Sequence, residues 1–298
     1  MLENKPLVTA VITTYRREPE IVVRAAKSVL QQTYENIELF IVNDYPEDEK
    51  LSRRLKKAIE NLEDSRVVFV CHEKNKGACA ARNTGIRRGT GEYVALLDDD
   101  DEWMSDKVET MLSAFKEDTG LVYSSFYLGE PCAGKVVSRG DKSGYIKREM
   151  LCKNLISGTS MPMIRRECFD DCGMFDEKLL SSQDYDMWMR ITLKYPVVYV
   201  DRPLTIRHFS NDCITTNTSK RKQGWDYFTI KYMEYYKEDP YLYNYRLNAI
   251  VNASFMIGEF KYGFEKYKVA VKVRLFSIQN ILCPLKGVLK YILNRRYQ

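Results

Sequence analysis

The stretch VALLDDDDEWMSD, Val94 to Asp106, decides how the chain is read. Val94, Ala95, Leu96 and Leu97 make a short apolar run of the kind that forms a buried strand. Four aspartates follow without a break, then Glu102 and Trp103, then Asp106 at the head of a helical pattern. Four like charges at a strand end push some of their own pKa values up. They tolerate that crowding where water solvates them or a cation sits among them. Carboxylates are hard donors suited to Mg2+ or Mn2+. Taken alone, the stretch fits an acidic solvated loop, with Asp106 capping a helix, as well as it fits a divalent metal site.

Working outward, short strand and helix signals alternate. Leu7 to Thr13 (LVTAVIT) is a β-branched run, and Pro19 and Glu20 open a helical segment with apolar positions at helical spacing. Glu38 to Val42 and Arg66 to Val70 read as the second and third strands. A charged helix from Asp48 to Leu62 lies between them, and a further helix follows Gly77. After the aspartates come a helix from Asp106 to about Lys116 and a fifth strand, Leu121 to Ser125. Alternation on this scale predicts an α/β fold with a doubly wound, mostly parallel sheet flanked by helices. Ligands of such sheets sit beyond the carboxyl ends of the strands, at the switch in strand order. That rule converges Thr13, Tyr15, Asp44 and Asp98–Asp101 on one crevice. Ser157 to Ile164 is a strand candidate, Ser181 and Ser182 read as caps ahead of the helix QDYDMWMRITLK, and Val197–Val200 and Leu204–Phe209 read as two short strands.

At 298 residues, 45% apolar and 29% charged, the chain suits one large α/β domain plus an appendage. No run approaches the roughly 20 apolar residues of a spanning helix. The N-terminus, MLENKPLV, lacks the layout of a secretory signal, so a cytoplasmic location is expected. Eight cysteines offer one close pair, Cys168 and Cys172, and no second pair nearby; buried thiols account for them better than zinc or disulfides. The net charge is +5, but residues 261–298 carry nine Lys/Arg against one Glu. A basic tail on a slightly acidic body points to an anionic contact.

The segments VTAVITTYRR, SVLQQTYENIELFIVND, GACAARNTGI, LLDDDDEW and QDYDMWMRI stand in this order along the chain. In that order they resemble the family-2 inverting glycosyltransferases of the GT-A (Rossmann-like) fold, of the type that builds bacterial cell-surface polysaccharides. The likeness is close over residues 6–115 and looser over 150–216. It implies a catalytic domain over 1–217 that binds a nucleotide-sugar donor, followed by a helical extension over 218–298. It implies a hexosyl- or N-acetylhexosaminyl-transferase whose donor is UDP-linked. It also assigns positions. Thr13 and Tyr15 would border the base, Asp44 would bond the uracil edge, and Arg82 and Asn83 would approach the nucleotide or its phosphates. Asp98 and Asp100 would form the D-x-D, with Asp98 near the ribose, Asp100 on a divalent metal and Asp99 grouped with the nucleotide contacts. Asp184 matches the position of the catalytic base. The sequence departs from the pattern at Asn43, where a second Asp is frequent, at Tyr45-Pro46 for Gly-Ser, and at Arg16 for Asn. These departures fall on the base and ribose side; the metal and base positions match.

The chemistry is consistent with that assignment. A diphosphate leaving group gains negative charge as the glycosidic bond breaks, and a metal on Asp100 would neutralise it. An attacking hydroxyl then needs a single general base. Asp184 lies in the first turn of its helix, where the dipole favours the ionised form; a plain N-terminal helix acid fits that position too. Trp188 at i+4 offers a sugar-stacking wall to donor or acceptor, and Asp186 can pair with Arg190 instead. His208 fits either a contact to the diphosphate or metal, or a hydrogen-bonded surface histidine. Arg82 could equally be a solvent-facing helix residue.

In the tail, Val271, Leu275, Ile278, Leu282, Leu285, Leu289 and Ile292 recur at steps of four and three, interrupted by Pro284, with lysines nearby. A basic amphipathic helix of this kind fits the inner face of a membrane through residues 262–298, and a lipid-linked saccharide acceptor with it. It would also fit packing on the catalytic domain, or pairing with a second subunit. A nucleotidyltransferase would want a glycine-rich loop after the first strand, and TTYRREPE has no glycine. A non-catalytic nucleotide-binding protein is the remaining alternative. No base-stacking module is present, so nucleic acid is not an expected partner.

Overall fold

A computed structural model describes residues 5–131, 134–208 and 218–295. The chain runs β1 (Val8–Thr14), α1 (Pro19–Leu30), β2 (Ile37–Asn43), α2 (Glu49–Glu60), β3 (Val67–Cys71), α3 (Ala78–Arg88), β4 (Tyr93–Asp98), β5 (Asp101–Trp103) and α4 (Lys107–Ala114). It continues through β6 (Leu121–Leu128), β7 (Lys135–Val137), α5 (Lys147–Cys152), β8 (Met163–Arg165), α6 (Glu167–Cys172), α7 (Gln183–Thr192) and β9 (Val197–Arg207). Five helices follow: α8 (Thr218–Lys231), α9 (Met233–Glu238), α10 (Pro240–Met256), α11 (Phe260–Val273) and α12 (Gln279–Arg295). Two compact units result. The first takes the described residues of 1–147, 154–179 and 183–213, the second those of 148–153, 180–182 and 214–298. The boundary expected between 217 and 218 borders 209–217, outside the described residues.

In the first unit the strands join in the order β3-β2-β1-β4-β8-β6-β9-β5, with β7 on β6. β1, β2 and β4 have runs such as VTAVITT and YVALLD that are buried almost throughout, while β3 at the sheet edge is half-exposed. Strands covered by helices on both faces need this continuous apolar character, and their pairing is parallel. The chain leaves β1 toward β2 on one side and returns as β4 on the other, so the switch in strand order lies between β1 and β4. The register there sets Thr13 directly opposite Asp98. Gly91 leads into β4 where a side chain has no room: an added Cβ would come within 2.6 Å of the Thr9 amide nitrogen. Helix starts follow local chemistry. Pro19 opens α1 at a position where its missing N–H costs nothing, and Asp48 caps α2 by accepting from the Leu51 amide.

The sheet is less parallel than the alternation predicts. The fifth strand, β6, does not lie beside β4. β8 is inserted between them, antiparallel to both. β9 then pairs parallel to β6 along Val197–Arg207 as one bulged strand instead of two, and β5 pairs antiparallel to it. The 154–162 connection that leads into β8 bonds the aspartates through Thr159 and Ser160. Of two local expectations, one changes and one holds. Asp106 stands at the N-cap of α4 without capping it, since its carboxylate pairs with Arg202 at 2.7 Å. Asp186 does pair with Arg190, at 3.0 Å. Cys71, Cys79, Cys152, Cys168, Cys172 and Cys283 are free thiols.

The second unit is helical. Asn244 and Asn248 on α10 both donate to the Asn280 side-chain oxygen on α12, at 2.9 and 2.7 Å. Asn244 also donates to the Ala270 carbonyl on α11. α12 runs on through Pro284 instead of breaking there. Among the described residues no helix is long and apolar enough to cross a membrane.

Candidate active site

The four aspartates separate into two pairs. Asp98 and Asp100 keep side-chain exposures of 39% and 23%, while Asp99 falls to 8% and Asp101 is buried. Burial, more than crowding by its neighbours, pushes the Asp99 carboxyl up to about 6, and the Arg17 guanidinium pulls the other way. Asp101 is raised for the same first reason. Its Oδ2 accepts from Ser160 Oγ at 2.7 Å, and the same hydroxyl accepts from the Asp98 amide at 3.0 Å. Thr159 Oγ1 donates to Asp98 Oδ1 at 2.8 Å. Beneath them lies Lys107, buried, with Nζ on the Met161 carbonyl (2.8 Å) and Thr205 Oγ1 (3.1 Å). Asp98 is therefore backed by an inner layer of Ser160, Asp101, Lys107 and Thr205, while Arg24 Nη2 donates to the Asp100 carbonyl at 2.9 Å.

Two arginines face the outward carboxylates. Arg17 lies 3.1 Å from both Asp99 Oδ1 and Asp100 Oδ2. Arg82, on α3, donates through Nη2 to Asp98 Oδ1 (3.2 Å) and through Nη1 to Gln183 Oε1 (3.1 Å). Gln183 is the first residue of α7 and Asp184 the second. One guanidinium thus ties the aspartate loop to the helix carrying the second acid. Asp184 also faces Asn154, whose Nδ2 is 3.4 Å from Oδ2. Its carboxyl is raised, first by loss of solvent and further by the charge of Asp98, while backbone N–H donors and Arg82 oppose the shift.

Other expected site residues occupy different places. Trp188 is 0% exposed and donates from Nε1 to the Ser157 carbonyl at 3.0 Å, so it is a core residue and no sugar can stack on it. Asn83 is buried: it donates to the Phe175 carbonyl and Glu177, and accepts from the Phe175 amide. It brackets the 175–177 turn instead of reaching a nucleotide. Asp44 is buried as well. Its Oδ1 accepts from the Lys76 amide (2.8 Å) and lies 2.7 Å from His72 Nδ1, and its Oδ2 accepts from the Gly77 amide (2.7 Å). Gly77 has φ +89°, the backbone that aims those amides at the carboxylate. Asp44 therefore braces the loop before α3; a direct bond to a base edge is not what its carboxylate does here. Asp44→Asn is expected to lower stability by roughly 3 kcal/mol, because an amide set among these donors leaves buried groups unsatisfied. Denaturant unfolding measures it; an unchanged midpoint would show that the brace is dispensable.

Tyr15 is exposed at the end of β1, edge-on to Tyr45 with ring centres 5.0 Å apart. The Arg16 guanidinium covers both rings at 5.2 and 4.9 Å. Arg16 has φ +53°, a left-handed conformation that Asn adopts more cheaply than Arg. Thr13 sits one strand over from Asp98.

His208 pairs through Nε2 with Glu102 at 2.7 Å, and its Nδ1 lies 3.8 Å from Glu130. Both ring nitrogens face carboxylates other than Asp100, contrary to the expectation that it completes a metal shell. Among the described residues no group of three or more His, Cys, Asp or Glu is arranged as a metal cage. The outward pair still suits Mg2+ or Mn2+. Such ions are commonly held by one or two carboxylates together with substrate phosphates, so an all-protein cage is not required. A groove of about 670 Å3, lined by Arg24, Lys27, Gln31, Glu102 and Trp103, lies on the α1 flank; its lining includes neither the outward aspartates nor Asp184.

Arg17, Thr159, Ser160, Lys107 and Gln183 were not singled out in the sequence. Arg17 and Gln183 adjoin residues that were, whereas the inner layer carries no local signal.

A curled mixed sheet flanked by helices, followed by a helical C-terminal region, is the fold of the GT-A glycosyltransferases. The chain belongs to glycosyl transferase family 2, whose profile matches residues 9–173. It is 30% identical to the putative colanic acid biosynthesis glycosyl transferase WcaA of Escherichia coli K12, over 78% of this chain and 84% of that protein. It is 27% identical to the uncharacterized glycosyltransferase MJ1057 of Methanocaldococcus jannaschii, over 76% and 79%. Among solved structures, S. aureus TarS 1-349 in complex with UDP-GlcNAc shares the fold at a TM-score of 0.70 and 14% identity, covering 98% of this chain and 92% of that one. The Pyrobaculum calidifontis mannosyltransferase PcManGT, in complex with GDP-Man and Mn2+, does so at 0.59 and 15%, over 98% and 89%.

Proposed function

We propose that this glycosyltransferase moves a sugar, with inversion, from a UDP-linked donor to a hydroxyl of a glycan or lipid-linked glycan. The observation that carries the reading is the Arg82 bridge, which sets Asp98 and the start of α7 in one site. Asp184, desolvated and beside that bridge, takes the acceptor proton as the hydroxyl attacks the anomeric carbon. Arg82 balances the charge of Asp98 and Asp184 when no substrate is present. In the bound state its guanidinium also suits the donor's diphosphate.

Asp98 and Asp100 would hold a divalent cation, with Asp100 released by Arg17. When bound, that ion would supply Lewis-acid stabilisation of the departing diphosphate. Tyr15, Tyr45 and Arg16 form an exposed aromatic and cationic surface beside Thr13, suited to stacking a base. A UDP-linked sugar is favoured because the TarS neighbour is in complex with UDP-GlcNAc. A cell-surface polysaccharide role is favoured by the name of WcaA. The reaction would take place in the cytoplasm, at the inner face of the membrane.

The test is a thermal-shift panel of UDP, GDP and dTDP with and without Mn2+. Stabilisation by UDP that depends on Mn2+ is expected. A response to GDP alone would move the donor to a GDP-sugar such as the one PcManGT binds, and no response to any nucleotide would overturn the reading.

A further inference from the structure

α12 is packed inside out. In a helix at the surface of a soluble protein the apolar stripe faces the core and polar residues face water. Here the buried positions are Ser277, Asn280 and Gly287. Asn280 is held by Asn244 and Asn248. Gly287 lies so close to α10 that an added Cβ would meet the Asn252 carbonyl at 2.7 Å. The large apolar side chains point the other way: Ile278, Ile281, Leu282, Leu285, Leu289, Ile292 and Leu293 are all exposed. At 100° per residue, positions 278–293 of this set fall within a sector of about 120°. Leu275 and Phe276, in the turn before α12, are exposed as well, Phe276 at 95%.

The surroundings of this sector are cationic. Lys286 and Lys290 are exposed on one side of it, about 20° and about 60° beyond its edge by the same helical count, and α12 contains no acidic residue. An apolar face this wide is uncommon on a soluble surface without a partner. Water does not favour it, and the helix's own fold uses the opposite face for packing. The bordering charge selects among occupants, because a second copy of this chain would set lysines against lysines. A bilayer with anionic headgroups meets the apolar sector and the lysines together.

We propose that α12 and the turn before it form a docking surface for an anionic lipid bilayer, with Phe276, Ile281, Leu285 and Leu289 entering the interface and Lys286 and Lys290 meeting headgroup phosphates. This inference stands on the second unit alone and does not depend on the donor or on Asp184.

Flotation of the full-length protein with vesicles tests it. Binding to vesicles of phosphatidylglycerol and phosphatidylcholine is expected, weakening at least about tenfold in pure phosphatidylcholine and falling with added salt. Leu285→Glu with Leu289→Glu is expected to abolish flotation, and Lys286→Gln with Lys290→Gln to weaken it severalfold. Circular dichroism and the UDP thermal shift of each variant, expected to match the parent, separate lost docking from lost folding or lost donor binding. Two results would overturn the proposal. One is vesicle binding untouched by the Glu pair. The other is no binding to the phosphatidylglycerol vesicles; a dimer, seen by light scattering, that the Glu pair splits would then give the face to a second copy of the chain.

Discussion

Asp184→Asn is expected to reduce transfer by about 10²- to 10⁴-fold while leaving UDP binding intact, because it removes the carboxylate proposed to accept the hydroxyl proton. The substitution keeps the side chain's shape and one acceptor oxygen for Asn154. Loss of solvent around the carboxyl and the charge of Asp98 raise its pKa, against Arg82 and the backbone donors of α7. A raised folded-state pKa means that the proton is retained to higher pH than in the unfolded chain. The base is then available only above that raised value, and transfer is lost as pH falls through it. The acid limb of kcat/KM is therefore expected above the usual carboxylate range of about 3.9–4.3. The same shift has a stability consequence. Ionising Asp184 costs the native state stability as pH rises through the interval between the unfolded and folded pKa values. The neutral amide avoids that cost, so the variant should melt no lower than the parent at neutral pH. Retained transfer with an unchanged acid limb would remove Asp184 from the base role, and a collapsed melting curve would make it a structural acid.

Asp100→Asn is expected to remove the Mn2+ dependence of UDP binding, weakening the metal-assisted complex by about 100-fold or more, and to lower transfer by about 10²- to 10³-fold. The reason is the scarcity of ligands: Asp98 and Asp100 are the outward carboxylates of the loop, and His208 is engaged with Glu102. Losing one of the two proposed ligands would leave little to hold the ion against water. Arg17 provides an internal control. It pairs with Asp100 without substrate, so Arg17→Gln should tighten metal binding where Asp100→Asn weakens it. Calorimetry with Mn2+ and UDP reads both. If Asp100→Asn kept a full Mn2+-dependent response, the ligand would have to be sought elsewhere on the loop.

Asp99 and Asp98 show how adjacent identical residues acquire different work. Nothing in DDDD distinguishes them by letter. Their separation comes from the turn between β4 and β5, which sends Asp99 and Asp101 inward and leaves Asp98 and Asp100 outward. Trp188 shows the converse. Its spacing from Asp184 places both on neighbouring turns of α7, but helical spacing does not say which side the core lies on. The core lies on the side of Trp188.

What the sequence determined by itself is what depends on neighbours along the chain: apolar runs that become strands, turn residues that end them, and the acidic cluster after β4. The switch-point rule then brought Thr13 and Asp98 to the same sheet end. What only the tertiary structure decided is what depends on pairs far apart in the chain. These are the insertion of β8 beside β4, the Arg82 bridge to Gln183, the use of Asp44 and Asn83 as internal braces, and the outward turn of the apolar face of α12. The physical reason is that burial and hydrogen-bond partners are properties of three-dimensional surroundings. A residue's type and spacing limit what it can do, and those surroundings select which of the permitted roles it takes.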